Sequence, residues 1–199
     1  MTARAGSLRA GAVTSVRSLA MLSLVAVAGS AGLAAWLALP CAAEGHDERA
    51  VRAAYVFNLT KYVEWPETSH ELVVGFIGDG PMGDILLKML DGKLSEGRRI
   101  RVVVNPADQD LEQCNILYLG GPTNPKAHAV LDRIRDRPVL TVGESEDFLR
   151  DNGMLGLVRV GEQIQIEVNL QLAQQGHLKI SSRLLNVAKI VKSGAEVPN

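Results

Sequence analysis

The sequence predicts an α/β fold: a single-domain open, mostly parallel sheet flanked by helices, with a C-terminal antiparallel hairpin and a final helix. Three observations point to it. Short apolar runs without polar alternation recur along the chain, as strands buried on both faces require. Stretches with helical spacing lie between them, which is the order of a parallel sheet with crossovers. Near the end, two strand patterns are joined by Gly161-Glu162 alone, a two-residue connection that starts with glycine and signals a hairpin.

Residues 1–43 read as a secretory signal peptide. Arg4, Arg9 and Arg17 precede an uncharged Ala/Leu-rich tract, and Cys41 and Ala43 fill the small-residue positions before a cleavage site. The uncharged stretch from Ser18 to Ala43 is also long enough to serve as an uncleaved membrane anchor. Gly29, Gly32 and Pro40 weaken a helix there and favour cleavage. Either outcome puts the remainder outside the cytoplasm, because the arginines stay inside.

Cleavage after Ala43 leaves residues 44–193 as one domain and 194–199 as a frayed tail. It removes three arginines and no acidic residue, so the formal charge moves from −1 to −4. That balance is a poor one for binding nucleic acid. Cys114 is then the lone cysteine in an oxidising compartment, which suits a buried core thiol.

The domain opens with a helix over Glu48–Trp65, with Val51, Tyr55, Leu59 and Tyr62 as its buried stripe and Pro66 at its end. Strands follow at Leu72–Ile77, Ile100–Val104, Asn115–Leu119 and Pro138–Val142. Helices are expected at Met82–Leu90, Pro125–Arg135 and Glu144–Asp151. The hairpin pairs Leu155–Val160 with Gln163–Leu170. In its second strand Ile164, Ile166, Val168 and Leu170 alternate with Gln163, Gln165, Glu167 and Asn169, predicting one buried and one wet face. The last helix is capped by Ser181 or Ser182 and carries Leu184, Leu185, Ala188 and Val191 on its apolar side. Its Arg183, Lys189 and Lys192 form a solvated basic stripe.

Gly78-Asp79-Gly80-Pro81-Met82-Gly83 spells G-x-G-x-x-G after a strand and before a helix. A dinucleotide fold also needs an acidic residue at the end of the second strand, where this chain has Val103-Val104-Asn105. Pro81 removes an amide that a pyrophosphate would use. The motif is therefore read as a tight turn with Pro81 at the first helical position, and no cofactor is expected.

His46, His70, His128 and His177 are scattered without metal or catalytic spacing, so neither a metal nor an enzyme activity is expected. Glu144, Glu146 and Asp147 read as acids favoured at a helix start. Two surfaces are better candidates for binding: the polar row Gln163, Gln165, Glu167 and Asn169 on the last strand, and Lys179–Ser182, where a helix start, a lysine and two hydroxyls meet. Tyr62 and Trp65 sit at the exit of the first helix, where a ring either seals the core or lines a pocket.

The segment Ala54-Tyr55-Val56-Phe57-Asn58-Leu59-Thr60-Lys61-Tyr62-Val63-Glu64-Trp65-Pro66 resembles the first-helix signature of the YfiR/HmsC-like family. Asn115–Tyr118, Pro138–Gly143, Ile166–Leu170 and Leu178–Leu185 match in order and spacing, and the resemblance spans about Arg49 to Val191. It implies a periplasmic α/β domain, often dimeric, that binds the periplasmic sensor part of an inner-membrane diguanylate cyclase and holds it inactive. Cyclic di-GMP, and with it exopolysaccharide and biofilm, would fall. An outer-membrane lipoprotein can sequester such a repressor.

Carried over by motif, Glu167 and Asn169 become partner-binding candidates, and Gln165, from the polar row of the same strand, joins them. Tyr62, Trp65, Lys179, Ser181 and Leu185 become candidates for a small-ligand pocket. The redox control associated with the best-known repressor pattern is not open to a lone Cys114 within one chain. A periplasmic receptor for an anionic or aromatic small molecule is the alternative function, and a nucleotide-using enzyme built on Gly78–Gly83 ranks last.

Overall fold

The apolar runs of the sequence become the centre of one sheet in the computed structural model, which describes residues 44–66, 69–121 and 126–192. The expected signal peptide, residues 1–43, and the tail, 194–199, lie outside the described residues. In chain order the elements are α1 (Glu44–Tyr62), β1 (Val63–Glu64), β2 (Glu71–Ile77), α2 (Met82–Leu90), β3 (Leu94–Ser95) and β4 (Arg98–Val104). A 3₁₀ turn (Asp108–Gln113), β5 (Ile116–Leu119), α3 (Ala127–Ile134), β6 (Leu140–Gly143), α4 (Glu146–Arg150) and β7 (Leu155–Val160) follow. The chain continues through β8 (Gln163–Asn169), α5 (Leu170–Gln175), β9 (Lys179–Ile180), α6 (Ser182–Leu185) and β10 (Lys189–Val191).

Eight strands form the main sheet in the order β10-β8-β7-β6-β5-β2-β4-β3, and β1 and β9 form a separate two-stranded ribbon. From β7 to β4 all neighbours are parallel; β7–β8 is the expected antiparallel hairpin, with Gly161 of its turn at φ +61°. Alternate residues of each central strand serve opposite cores, which is why these runs lack polar positions. Leu72, Val74 and Phe76 of β2 pack with Val56 and Leu59 of α1 and Leu86 of α2, whereas Val73 and Ile77 pack with Val130 and Ile134 of α3 and with Leu149 of α4.

The crossover helix after β2 thus covers one face and those after β5 and β6 cover the other. The chain reverses its direction of travel across the sheet between β2 and β5. In open α/β sheets the crevice at the carboxyl ends of such a strand pair is the usual place for a ligand.

α2 coincides with its expected limits, but the two ends of the domain correct the sequence reading. On α1 the buried stripe is Arg52, Ala53, Val56, Leu59 and Thr60, with Val63 beyond it, and Val51 is exposed. The helix is therefore rotated by about one residue from the expected stripe and turns a cation inward. At the other end, the long last helix is a single turn, α6, followed by the strand β10 laid parallel on β8. Lys189-Ile190-Val191 carries two β-branched residues, and β8 would otherwise present an unpaired edge. Lys189 thus lies on a sheet edge and not on a helical basic stripe.

One close fit places α4. The Phe148 ring sits between Gly143 and Gly153, where an added Cβ would come within 2.3 Å and 2.2 Å of ring atoms. Gly143→Ala is expected to destabilise the fold by roughly 1–3 kcal/mol, the usual cost of overpacking a filled site. Adding Phe148→Leu should recover part of the loss, and urea unfolding of the single and double variants would measure both effects.

Candidate functional site

The structure brings the two halves of the expected small-ligand pocket together. Val63 and Glu64 pair antiparallel with Ile180 and Lys179, and Ser181 N donates to Tyr62 O at 2.9 Å. The side chains there are largely engaged in the fold itself. Trp65 is buried and its Nε1 donates to Asn115 O at 3.0 Å. Ser181 Oγ accepts from Arg183 N as the cap of α6, while Tyr62 and Leu185 pack against the core. Lys179 is exposed.

The polar row on β8 is wet only in its first half. Gln163 and Gln165 are exposed, but Glu167 and Asn169 are 3% and 0% exposed. Two neighbours that alternation could not reveal cover them. β10 sets Lys189 opposite Glu167, with Nζ 2.9 Å from Oε1. α5 begins directly after Asn169, whose Oδ1 accepts from Leu172 N. Glu167 and Asn169 therefore do not form part of an open wet face, and Gln165 is the partner-binding candidate that remains exposed.

A concave site appears at the β2/β5 reversal, where the sheet topology favours one. The cavity encloses about 290 Å³. Glu48, Arg49 and Arg52 of α1 form one side and Glu144, just past β6, another. Phe76 and Met82 supply apolar wall, and the turn residues Asp79, Pro81, Gly120 and Gly121 complete the lining. The G-x-G-x-x-G turn is thus part of the site. Pro81 stands one residue before its expected place, as the N-cap of α2, and Met82 is the first helical residue.

A chain of charged groups organises this end of the sheet. Arg52 Nη2 donates to Glu48 Oε1 at 2.6 Å, and its Nη1 donates to Leu157 O at 2.8 Å, tying α1 to β7. Arg159 reaches the other oxygen of Glu48 at 2.8 Å. Tyr118 Oη donates to Glu144 Oε1 at 2.8 Å, while Glu144 Oε2 lies 3.7 Å from Arg52 Nη1, an ion pair too long for a hydrogen bond. Burial opposes the charge on Arg52, but the Glu48 bond and the Glu144 carboxylate outweigh it and its pKa is raised. The Arg52 hydrogen bond holds Glu48 below the usual carboxylate range. Burial, then the Glu144 charge, pushes the Tyr118 phenol far up, so it stays a neutral donor.

Arg52 and Glu144 carry this site, and neither stood out in the sequence. Glu144 lies outside the helix expected over Glu144–Asp151: Ser145 is the cap of α4, so Glu144 precedes it and turns to Tyr118. The available signal for Arg52 was the Glu48–Arg52 spacing of four, together with the competing stripe Ala53, Val56 and Leu59. Among the described residues no His, Cys, Asp or Glu group has the arrangement of a metal centre. His128 meets Asp151 at 3.3 Å on the surface.

Cys114 is the buried thiol that the composition suggested, 3% exposed. Burial pushes its pKa up to about 11. In the unfolded chain the thiol ionises near pH 9.0, so the native state loses stability as pH climbs from about 9 towards 11. The expected result with a thiol-reactive disulfide reagent near neutral pH is slow labelling of the native protein and rapid labelling in denaturant.

No helix among the described residues is long and apolar enough to cross a membrane. Residues 49–189, from α1 to the start of β10, match the family described as YfiR/HmsC-like. The match takes in more than half of the chain, including both sides of the cavity and the whole main sheet up to its last edge. The protein therefore belongs to the YfiR/HmsC-like family, periplasmic proteins that regulate diguanylate cyclases and are regulatory rather than catalytic.

Proposed function

We propose that this protein is exported by residues 1–43 and represses an inner-membrane diguanylate cyclase by binding its periplasmic sensor domain. The family match across residues 49–189 is the observation that carries this reading. Repression works by population shift: the protein binds the inactive sensor more tightly than the active one and stabilises that state by the difference in affinity. Shifting a sensor from almost wholly active to almost wholly inactive requires a preference of about 10⁴-fold. A homodimer is the acting form, and an outer-membrane lipoprotein that sequesters it would restore cyclase output. Less cyclic di-GMP then means less exopolysaccharide and biofilm.

The test is cellular cyclic di-GMP in a strain lacking the gene, compared with the same strain carrying the export-competent gene. The expected result is a rise on deletion that the exported protein reverses. An unchanged level, with the folded protein shown to be present in the periplasm, would rule the repressor reading out. The cavity favours a second, compatible reading in which a small molecule binds the domain and tunes its protein contact.

A further inference from the structure

We infer that Asn152-Gly153, just past α4, is a self-modification site: Asn152 loses its side-chain amide through a cyclic imide when the end of α4 opens, and the closed fold holds the reaction off. The inference goes beyond the repressor reading and does not depend on it.

The fold itself requires this pair of residues. Asp151 N donates to Asp147 O and Gly153 N to Phe148 O, which closes the last turn of α4, and between them Asn152 takes φ +71°. That left-handed position after a helix belongs to glycine or, next, to asparagine, whose short polar side chain tolerates it. Gly153 follows because a Cβ there would lie 2.2 Å from the Phe148 ring. Together the two demands set asparagine before glycine, the only Asn-Gly step in the chain.

The chemistry needs only hydroxide and water. Hydroxide takes the proton of the Gly153 main-chain nitrogen, which then attacks Asn152 Cγ with no side chain of its own in the way. An N–Cγ bond forms, the Cγ–Nδ2 bond breaks, and Nδ2 leaves as ammonia after taking up a proton from water. Water opens the five-membered imide at either carbonyl, giving aspartate or isoaspartate. The other asparagines are worse placed: Asn105 and Asn124 precede prolines, which have no N–H, and Asn58, Asn115, Asn169 and Asn186 precede Leu, Ile, Leu and Val.

Closure of the fold blocks the attacking atom and not the amide. Asn152 is exposed to water, whereas Gly153 is buried with its N–H held by Phe148 O at 2.8 Å. Reaction therefore waits for local opening of the end of α4. The products do not fit back equally well. Met154 is pinned on the far side, its N donating to Thr141 Oγ1 at 2.9 Å and its O accepting from Asn169 N at 2.8 Å. The extra main-chain atom of isoaspartate has no slack there and draws Gly153 away from Phe148. Aspartate keeps the length but adds a negative charge beside Asp151 at the carboxyl end of α4, where the helix dipole opposes it.

The experiment is incubation of the full chain at mildly alkaline pH, native and unfolded in guanidinium chloride, followed by proteolysis at acid pH and mass spectrometry of the peptide that holds Asn152, with chromatography to separate isoaspartate from aspartate. The unfolded chain is expected to convert at Asn152 ahead of its other asparagines, and the native chain at least about tenfold more slowly, a ratio set by how seldom the end of α4 opens. Ser145→Ala removes the hydroxyl that caps α4 by accepting from Phe148 N, and should speed native conversion several-fold. Asn152→Gly suits the positive φ, so it should stay folded and release no ammonia from this step. The inference is overturned if the native chain converts as fast as the unfolded one, if another asparagine of the unfolded chain converts first, or if Ser145→Ala leaves the native rate unchanged. None of these outcomes bears on cyclic di-GMP in the deletion strain, so failure here and failure of the repressor reading are separable.

Discussion

Replacing Arg52 with methionine is expected to cost about 3 kcal/mol of folding stability, at the lower end of the range for breaking one partner out of a buried ion pair. Methionine restores most of the apolar volume but none of the donors. Leu157 O loses the bond that ties α1 to β7, and Glu48 loses its 2.6 Å partner. The loss stays near the bottom of the range because Arg159 still holds Glu48 Oε2 and solvent reaches that side chain. Arg52→Lys keeps the charge without the fork and should fall between the two.

The acid limb offers a separate check. Glu48 has a depressed pKa in the folded state, so its contribution is present above the ordinary carboxylate value near 4.5 and is lost as pH falls through the folded value. In Arg52→Met that part of the acid sensitivity should shrink. Urea unfolding of parent and variant at neutral pH and again near pH 4 would show the difference narrowing. A neutral-pH loss below about 0.5 kcal/mol, the range of ordinary surface changes, would mean that the Arg52 network is not a stabilising tie.

That prediction turns on a residue hidden from the sequence, and the reason is physical. The strands of the sheet centre are legible because burial on both faces leaves no polar position, as in Leu72–Ile77 and Asn115–Leu119. The hairpin is legible because Gly161-Glu162 leaves no room for anything else. α1 is harder, since two stripes one residue apart, Val51-Tyr55-Leu59-Tyr62 and Ala53-Val56-Leu59-Val63, have similar spacing. Packing against β2 and α2 selects the second, and only then does Arg52 turn inward.

Glu144 has the same history. It looked like an ordinary helix-start acid because nothing local reports that Tyr118, 26 positions earlier, lies within reach. Glu167 shows the converse limit: alternation puts it on the face opposite Ile166 and Val168 but cannot say that β10 returns to pair beside β8 and sets Lys189 against its carboxylate. Contacts between distant segments decide all three residues, whereas the elements themselves are written locally.

The covering of Glu167 changes what its substitution should do. Glu167→Arg places a guanidinium in a 3% exposed position beside Lys189 Nζ, where the carboxylate now receives it at 2.9 Å. Loss of the pair and a buried like charge together are expected to cost about 3–5 kcal/mol and to loosen β10 from β8. Gln165→Arg, two residues earlier on the same face but exposed, should alter stability by no more than about 0.5 kcal/mol. The pair therefore separates folding from recognition. If the cyclase sensor docks on this face of β8, Gln165→Arg weakens repression at unchanged thermal stability, because a long cation now stands where a neutral amide met the partner. If Gln165→Arg represses like the parent, the contact lies off this strand, and any loss of repression in Glu167→Arg reflects a loosened sheet edge and not a lost contact. Thermal unfolding of both variants, read beside their cellular cyclic di-GMP levels, distinguishes these outcomes.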